Sequence, residues 1–235
     1  MRDVATDYSR FMIARLLIST VGMTAVIAAF LLLVAGTIDW PAAWGYLAEM
    51  SALNLAIGLW LARRDPALLA ERLGSPIQRA QKTWDKVFMA VVMVAYFAWI
   101  ALMGLDARWR ISHFPVWVQA VGAGGVALGM YAVFLTFREN SFAAPVIKIQ
   151  RERGQRVIAT GPYAYVRHPM YVGGLLIFLS APLQLGSWLG LAGTLVLVPV
   201  LAIRIVLEER TLRAELDGYD EYAGRVRWRL IPGLW

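Results

Sequence analysis

The stretch YVGGLLIFLSAPLQLGSWLGLAGTLVLVPVLAIRIVL, residues 171–207, contains two apolar segments separated by a short break. The segments cover residues 171–185 and 188–207, and Gln184-Leu185-Gly186-Ser187 is the expected turn between them. Lipid offers no hydrogen bonds to a backbone, so apolar segments of this kind must be helical to satisfy their own N–H and C=O groups. The pattern predicts a helical hairpin in a membrane.

Four similar segments precede the hairpin, over roughly residues 11–36, 41–62, 87–105 and 114–136. A helix needs roughly 20 residues to cross a bilayer, and these segments are close to that length. The composition agrees, because 59% of the 235 residues are hydrophobic and only 17% are charged. We expect an all-α, polytopic membrane bundle of about six transmembrane segments, with segments five and six forming the hairpin.

The basic residues predict the orientation of this bundle. With six crossings and both termini in the cytoplasm, only two of the 23 Lys and Arg residues lie outside, namely Arg108 and Arg110. Cytoplasmic loops of membrane proteins carry an excess of Lys and Arg, whereas an odd number of crossings would place the C-terminal basic cluster outside. These loops also explain the net charge of +7 better than nucleic-acid binding does.

The composition excludes several kinds of site. The chain has no cysteine, which excludes structural disulfides, cysteine-ligated zinc and thiol nucleophiles. His113 and His168 are its two histidines, so no histidine-rich metal site is expected. We expect neither a metal nor a nucleic-acid partner.

The sequence GAGGVA, residues 122–127, matches the dinucleotide fingerprint G-x-G-x-x-G/A. That fingerprint requires a strand before it and a helix after it, but here it lies inside the fourth apolar segment. Small residues allow membrane helices to approach closely, so these glycines are interpreted as a helix-packing surface.

Glu49 lies near the middle of the second apolar segment, with Asn54 close by. A carboxylate at that depth costs about 3 kcal/mol on insertion scales, so it should face the bundle interior or a wet cavity. Two interpretations remain open. Glu49 either makes a helix–helix hydrogen bond, with Asn54 or a tyrosine as candidate partners, or forms a wall of a substrate pocket.

The densest polar chemistry lies just before the hairpin, in GPYAYVRHPMY, residues 161–171. Its Gly-Pro and His-Pro pairs interrupt helix formation, and irregular backbone at a membrane is tolerated where it lines a cavity or is buried in protein. After the hairpin, Arg204 and Glu208 are four residues apart and share one helix face. Because the hairpin returns to the same side, four side chains are expected to converge: His168, Tyr171, Arg204 and Glu208.

Tyrosine rings and carboxylates suit a cation, and a cavity between cytosol and lipid favours a water-soluble cationic cofactor that meets a lipid-soluble substrate. Structural interpretations compete with this one. His168 is alternatively a helix-start histidine satisfied by backbone groups. Glu208 and Glu209 are alternatively a solvated helix end paired with Arg204 or Arg213.

The motifs GPYAYVRHPMYVGG (161–174), EERTL (208–212) and YDEY (219–222) resemble the isoprenylcysteine carboxyl methyltransferase family and the related phospholipid N-methyltransferases. The resemblance covers roughly residues 140–235. It implies an integral-membrane methyltransferase that binds S-adenosylmethionine at the cytosolic face without a Rossmann domain. One membrane domain, 1–235, would then comprise four N-terminal spans, 1–136, and a cofactor-binding module, 137–235, with the hairpin and a C-terminal tail.

The resemblance also implies roles for individual residues. The implied cofactor-binding residues are Gln150, Val157, Ile158, Gly161, Tyr163, His168, Pro169, Met170, Tyr171 and Glu208. The implied catalytic residues are Arg204, which holds the acceptor's carboxylate in the carboxyl methylators, together with Arg167 and Glu209; His168 or Glu209 would take the proton from an amine acceptor. The chain has Gln155 where the carboxyl methylators carry a histidine, which leaves the acceptor open.

We therefore expect methyl transfer from S-adenosylmethionine to a lipophilic or membrane-associated carboxylate, amine or thiol, in a multi-pass protein of a bacterial inner membrane. A prenylated cysteine, phosphatidylethanolamine, a small thiol and a quinone-like lipid are all compatible acceptors. Two other functions remain open. One is an NADPH-dependent membrane reductase related to the sterol reductases, and the other is a catalytically silent scaffold that retains the fold.

Overall fold

The computed structural model describes residues 2–75, 77–78 and 81–235, with side chains from residue 10 onward. This part of the chain is all-α and contains no strand, as predicted. Its helices are α1 Arg2–Ala35, α2 Pro41–Arg64, α3 Pro66–Arg72, α4 Thr83–Trp109, α5 Val116–Glu139, α6 Pro169–Leu185, α7 Trp188–Glu215 and α8 Tyr219–Arg225, with 3₁₀ turns at Arg151–Arg153 and Gly161–Ala164.

Five of these helices are long and apolar enough to span a membrane, so the chain is a multi-pass integral membrane protein. They are Arg10–Ala35, Pro41–Arg64, Thr83–Trp109, Val116–Glu139 and Trp188–Glu215. The remaining predicted segment, the fifth, is α6, an apolar helix of 17 residues. At 1.5 Å per residue it is about 25 Å long, which is less than the roughly 30 Å of a hydrocarbon core.

The basic residues separate towards the two ends of the bundle. At one end, Lys82 Nζ lies 2.5 Å from Glu215 Oε1, and its backbone N–H donates to Ile147 O. At the other end, Arg108 donates to Val34 O near the end of α1. The predicted cytoplasmic orientation is compatible with this separation and stays a prediction. Arg79 and the side chain of Arg2, which contributed to that prediction, lie outside the described residues.

The glycine-rich face of α5 packs against α6. A methyl group added to Gly129 would lie 2.7 Å from Gly173 O, and one added to Gly122 would lie 2.8 Å from Ser180 O. Both distances are shorter than real side-chain contacts, so only glycine permits this approach. Because α5 is a continuous helix through residues 122–127, the helix-packing interpretation of GAGGVA is confirmed.

The hairpin turn has the predicted position, because α6 ends at Leu185 and α7 begins at Trp188. Gly186 adopts the left-handed region with φ 72°, and Ser187 Oγ caps α7 by accepting from Gly190 N. The buried carboxylate of Asp106 on α4 accepts from Ser187 Oγ at 2.7 Å and holds this turn against the bundle. The sequence analysis did not identify Asp106.

Glu49 makes a helix–helix hydrogen bond, accepting from Gln184 Nε2 of α6 at 2.8 Å. This confirms the packing interpretation, but the suggested partners were wrong. Asn54 Nδ2 donates instead to Met50 O within its own helix. A glutamine amide 135 residues away satisfies the carboxylate, a pairing that local spacing does not reveal.

The glycine contact between α5 and α6 gives a matched pair of substitutions. Gly129→Ala should lower the free energy of unfolding by about 1–3 kcal/mol, because the new methyl group overlaps the backbone of α6. Gly124→Ala, on the same helix, should have no such cost because its methyl group would meet nothing within 4 Å. Unfolding of both variants in detergent, followed by circular dichroism, measures the difference; equal stabilities would contradict this packing.

Candidate functional site

A polar cavity lies where the loop after α5, the start of α6, the end of α7 and α8 meet. Its volume is about 110 Å³. Aromatic and charged side chains dominate its polar wall, including Tyr163, His168, Tyr171, Glu208, Tyr219 and Tyr222. Because the two halves of this wall come from opposite sides of the hairpin, the hairpin geometry creates the site.

Glu209 connects these elements. Its carboxylate accepts from Arg167 Nε at 2.6 Å, from Arg229 Nε at 3.0 Å and is 3.1 Å from His168 Nε2. The Glu209 side chain is only 3% exposed, and that of Arg167 is 5% exposed. Buried charges are stable only when paired and hydrogen-bonded, so this cluster fixes the start of α6 to the end of α7.

The C-terminal tail completes the same region. Arg167 N and His168 N donate to the carbonyl oxygens of Trp228 and Arg229, at 2.9 and 3.0 Å. Arg167 Nη1 also donates to Val226 O at 2.8 Å. The tail therefore satisfies backbone groups at the irregular His-Pro start of α6, and His168 owes its fixed position to both backbone and side-chain partners.

Tyr171 links two charged side chains of α7. Its hydroxyl donates to Glu208 Oε2 at 2.6 Å and accepts from Arg204 Nε at 3.0 Å. The ring of His168 stacks on that of Tyr171, with centroids 5.6 Å apart. The predicted convergence of His168, Tyr171, Arg204 and Glu208 is confirmed. The alternative in which Glu208 and Glu209 pair with Arg204 or Arg213 is wrong, because Glu208 bonds Tyr171 and Glu209 bonds Arg167.

Three further tyrosines give the polar cavity a neutral aromatic wall. Burial raises the pKa of Tyr163, Tyr219 and Tyr222 above the ordinary value for a phenol, so all three stay protonated at neutral pH. Asn140 Nδ2 donates to the Tyr163 hydroxyl at 2.7 Å. The buried hydroxyl of Tyr219 has no hydrogen-bond partner among the described residues. An unsatisfied buried polar group on a cavity wall is free to bind a ligand.

Arg204 is already neutralised within the protein. Asp85, at the start of α4 and 0% exposed, has Oδ1 3.5 Å from Arg204 Nη2. The remaining guanidinium nitrogens also have partners: Nε donates to Tyr171, and Nη1 lies 2.8 Å from Met89 Sδ. Nη2 donates to Pro145 O at 2.8 Å. The positive charge of Arg204 is therefore compensated before any ligand binds.

A second, mostly apolar cavity of about 700 Å³ lies between the helices α1 to α7. It shares three lining residues with the polar cavity: Met170, Tyr171 and Arg204. Glu49 lines neither cavity. Met170, Tyr171 and Arg204, which we call the junction, form a wall common to the polar and the apolar cavity.

Most residues implied by the family resemblance line the polar cavity: Val157, Ile158, Tyr163, Arg167, His168, Pro169, Met170, Tyr171, Arg204 and Glu208. Three do not. Gln150 is buried and bonds Phe142 O and Arg153, Gly161 lies against Glu139, and Glu209 lies in the Arg167 cluster. Their predicted roles in cofactor binding or catalysis stay predictions.

Sequence reasoning missed Asp85 and Arg72. Asp85 also accepts from Ile147 N at 2.8 Å and so holds the loop after α5. Arg72, the last residue of α3, lines the apolar cavity. The only signal in the sequence was a charged residue at the edge of an apolar segment. That pattern is common in membrane proteins and does not indicate which residue the charge contacts.

The sequence pattern of the phospholipid methyltransferase family matches residues 117–216, which run from α5 to the end of α7. The chain is 34% identical over 112 residues to protein-S-isoprenylcysteine O-methyltransferase of Schizosaccharomyces pombe, covering 46% of this chain and 47% of the relative. It is 31% identical over 141 residues to protein-S-isoprenylcysteine O-methyltransferase B of Arabidopsis thaliana, covering 59% of this chain and 68% of the relative. The chain thus spans about half of the first relative and two thirds of the second.

The contacts of Glu209 predict how its substitution changes the free energy of unfolding. Glu209→Ala should lower the free energy of unfolding by about 3–5 kcal/mol, because it leaves Arg167 as a buried and unpaired charge. Glu152→Ala removes an exposed carboxylate and should change stability little. Thermal unfolding and limited proteolysis of the C-terminal tail measure both effects; a Glu209→Ala protein with unchanged stability and tail protection would contradict the role of the cluster.

Proposed function

We propose, since this chain belongs to the isoprenylcysteine carboxyl methyltransferase and phospholipid methyltransferase family, that it transfers a methyl group from S-adenosylmethionine to a lipophilic acceptor. The names of the two relatives describe O-methyltransferases of isoprenylcysteine. Those names support methyl transfer at a membrane, whereas the cofactor, the acceptor and the membrane face are our proposals.

One observation carries the proposal. The polar and apolar cavities share Met170, Tyr171 and Arg204 as a common wall. If a polar cofactor binds in one cavity and an apolar acceptor binds in the other, their reacting groups can be adjacent only at this shared wall. The apolar cavity, at about 700 Å³, is within the roughly 300–1,000 Å³ of small-molecule sites.

The residues of the polar cavity fit a cationic cofactor. Glu208 offers a carboxylate, and the tyrosine rings offer faces that attract cations. The Tyr219 hydroxyl, which has no partner among the residues that the structure describes, offers one further hydrogen bond. We propose that Glu208 holds the cofactor's ammonium end and that Val157 and Ile158 contact its base. The cavity volume of about 110 Å³ is below the usual 300–1,000 Å³, so the site would have to widen to hold the whole cofactor.

The chain's own contribution to the reaction is positioning. S-adenosylmethionine would supply a methyl group made electrophilic by its sulfonium. Arg204 donates a hydrogen bond to the Tyr171 hydroxyl, and these two side chains would hold the acceptor against the cofactor side of the junction. Orienting two reactants lowers a barrier substantially, and the apolar walls exclude water that would compete as acceptor.

The resemblance implies catalytic roles for Glu209 and Arg167. In this proposal they would instead act by positioning other residues. Arg167 lines the polar cavity, but its guanidinium nitrogens bond Glu209 and the tail carbonyls. His168 is the nearer candidate for accepting a proton from an amine acceptor, since it lines the cavity. We propose that Glu209 and Arg167 hold His168 and the first turn of α6 in place.

The orientation and the cellular membrane complete the proposal. We propose that the polar cavity faces the cytosol, since the basic loops gather at its end of the bundle and S-adenosylmethionine is a cytosolic metabolite. We further propose a bacterial inner membrane as the location. In this arrangement, residues 1–136 shape the acceptor compartment, and residues 137–235 bind the cofactor.

The test is calorimetric binding of S-adenosylhomocysteine to the detergent-purified protein, with NADPH measured beside it. We expect the wild type to bind S-adenosylhomocysteine but not NADPH. Glu208→Gln should weaken that binding about tenfold or more, because a charge-assisted hydrogen bond is lost. Glu221→Gln, an exposed carboxylate on α8, is the control and should bind as the wild type does.

The other outcomes identify the alternative functions. Binding of NADPH without S-adenosylhomocysteine would overturn the methyltransferase proposal in favour of a reductase. Binding of neither ligand by a folded protein would favour a scaffold without catalytic activity. Equal affinities of Glu208→Gln and wild type would remove Glu208 from the cofactor site while leaving the methyl donor in place.

A further inference from the structure

Arg72 lies at the end of the apolar cavity that adjoins the junction. It is the last residue of α3, and its Nη1 donates to Ala143 O at 3.0 Å. The same nitrogen is 4.0 Å from Met170 Sδ, and the guanidinium lies 4.2 Å from the centroid of the Phe137 ring. Arg72 and Met170 both line the apolar cavity, and Met170 belongs to the junction.

Arg72 has no carboxylate partner among the side chains that the structure describes, from residue 10 onward. The two acids of its own segment are used elsewhere. Asp65 accepts from Leu68 N and caps α3, while Glu71 Oε2 lies 2.7 Å from Lys148 Nζ. Burial lowers the pKa of Arg72 to about 10, so the side chain still carries its charge at neutral pH.

Arg72 is a partly buried cation whose hydrogen-bond acceptor oxygen belongs to a neutral carbonyl, so its positive charge is not fully compensated. Removing an ion from water costs several kcal/mol unless an opposite charge compensates it. The ring of Phe137 supplies part of that compensation through its π face, typically about 0.5–2 kcal/mol. An anion bound in the adjoining cavity would supply the remainder.

Arg204, to which the family resemblance assigns the acceptor's carboxylate, differs in this respect. Asp85 compensates its charge, and all three of its nitrogens have partners within the protein. Arg204 therefore does not need a further carboxylate to compensate its charge. Of these two arginines, Arg72 is the one whose positive charge has no acidic partner among the described side chains.

We propose that Arg72 binds the anionic group, a carboxylate or a phosphate, of an amphiphilic molecule whose apolar part occupies the 700 Å³ cavity. This inference rests on the proposed function in identifying that molecule as the methyl acceptor. For a carboxylate, one oxygen would form the new bond to the methyl carbon as the methyl–sulfur bond breaks, and the electron pair of that bond would pass to sulfur. No proton is released, so no general base is required.

The test measures binding rather than turnover, with the full chain in phosphatidylcholine nanodiscs. Decanoate, decyl phosphate and decanol share one alkyl chain and differ in head group. Tryptophan fluorescence reports their binding, after subtraction of empty nanodiscs. We expect the wild type to bind at least one anionic probe about ten- to hundredfold more tightly than decanol, as charge-assisted hydrogen bonds predict. The preferred anion identifies the head group.

The variants test whether Arg72 causes that preference. Arg72→Gln should bind the anionic probes no better than decanol, while its affinity for decanol changes less than about threefold. Arg72→Lys should keep part of the preference, because it keeps the charge but not the planar fork. Arg15→Gln is the matched control. Arg15 also donates to a carbonyl, Leu73 O, and lies over an aromatic ring, but it does not line the cavity.

Equal binding of decanoate, decyl phosphate and decanol by the wild type would overturn the inference, and so would an undiminished preference in Arg72→Gln. If Arg72→Gln fails to fold, Arg72→Lys takes its place, and an undiminished preference in Arg72→Lys would overturn the inference. S-adenosylhomocysteine binding to the same samples separates the two proposals. Cofactor binding without anion preference overturns only the role of Arg72, whereas an Arg72-dependent preference without cofactor binding overturns only the methyltransferase proposal.

Discussion

The paired charges around Glu209 are the interaction on which the site depends. One buried carboxylate binds Arg167 at the start of α6 and Arg229 in the tail, and it contacts His168. These partners come from two different segments, so the cluster joins the His-Pro start of α6 to the tail. Met170 and Tyr171 lie in the first turn of α6, so their position at the junction is set by this cluster.

The division between a polar and an apolar cavity follows from that placement. Tyr171 reaches across to α7 and binds both Glu208 and Arg204, so its hydroxyl is fixed at the common wall. Asp85 holds Arg204 from the opposite side and also binds the loop after α5. The charge of Arg204 at the wall is therefore compensated, which suits an apolar compartment behind it.

Much of the fold was predictable, because membrane helices follow local rules. Segment length, apolar content and the Gly186-Ser187 break were sufficient for the hairpin, and the hairpin alone implied that His168 and Glu208 would meet. Other pairings depended on contacts between distant segments. Glu49 meets Gln184, and Gln150 is used inside its own loop rather than at the cavity. Neither result follows from spacing, since any nearby amide could serve a carboxylate.

The sequence by itself determined the six apolar helices, the glycine face of α5 and the family motifs, since these depend on local hydrogen bonding, residue size and burial. The tertiary structure decided which charged groups have partners. Glu208 and Glu209 are neighbours in the chain, but successive side chains on a helix point about 100° apart. Glu208 therefore lines the polar cavity and Glu209 the interior cluster. The same packing compensates the charge of Arg204 and leaves that of Arg72 without an acidic partner among the described side chains.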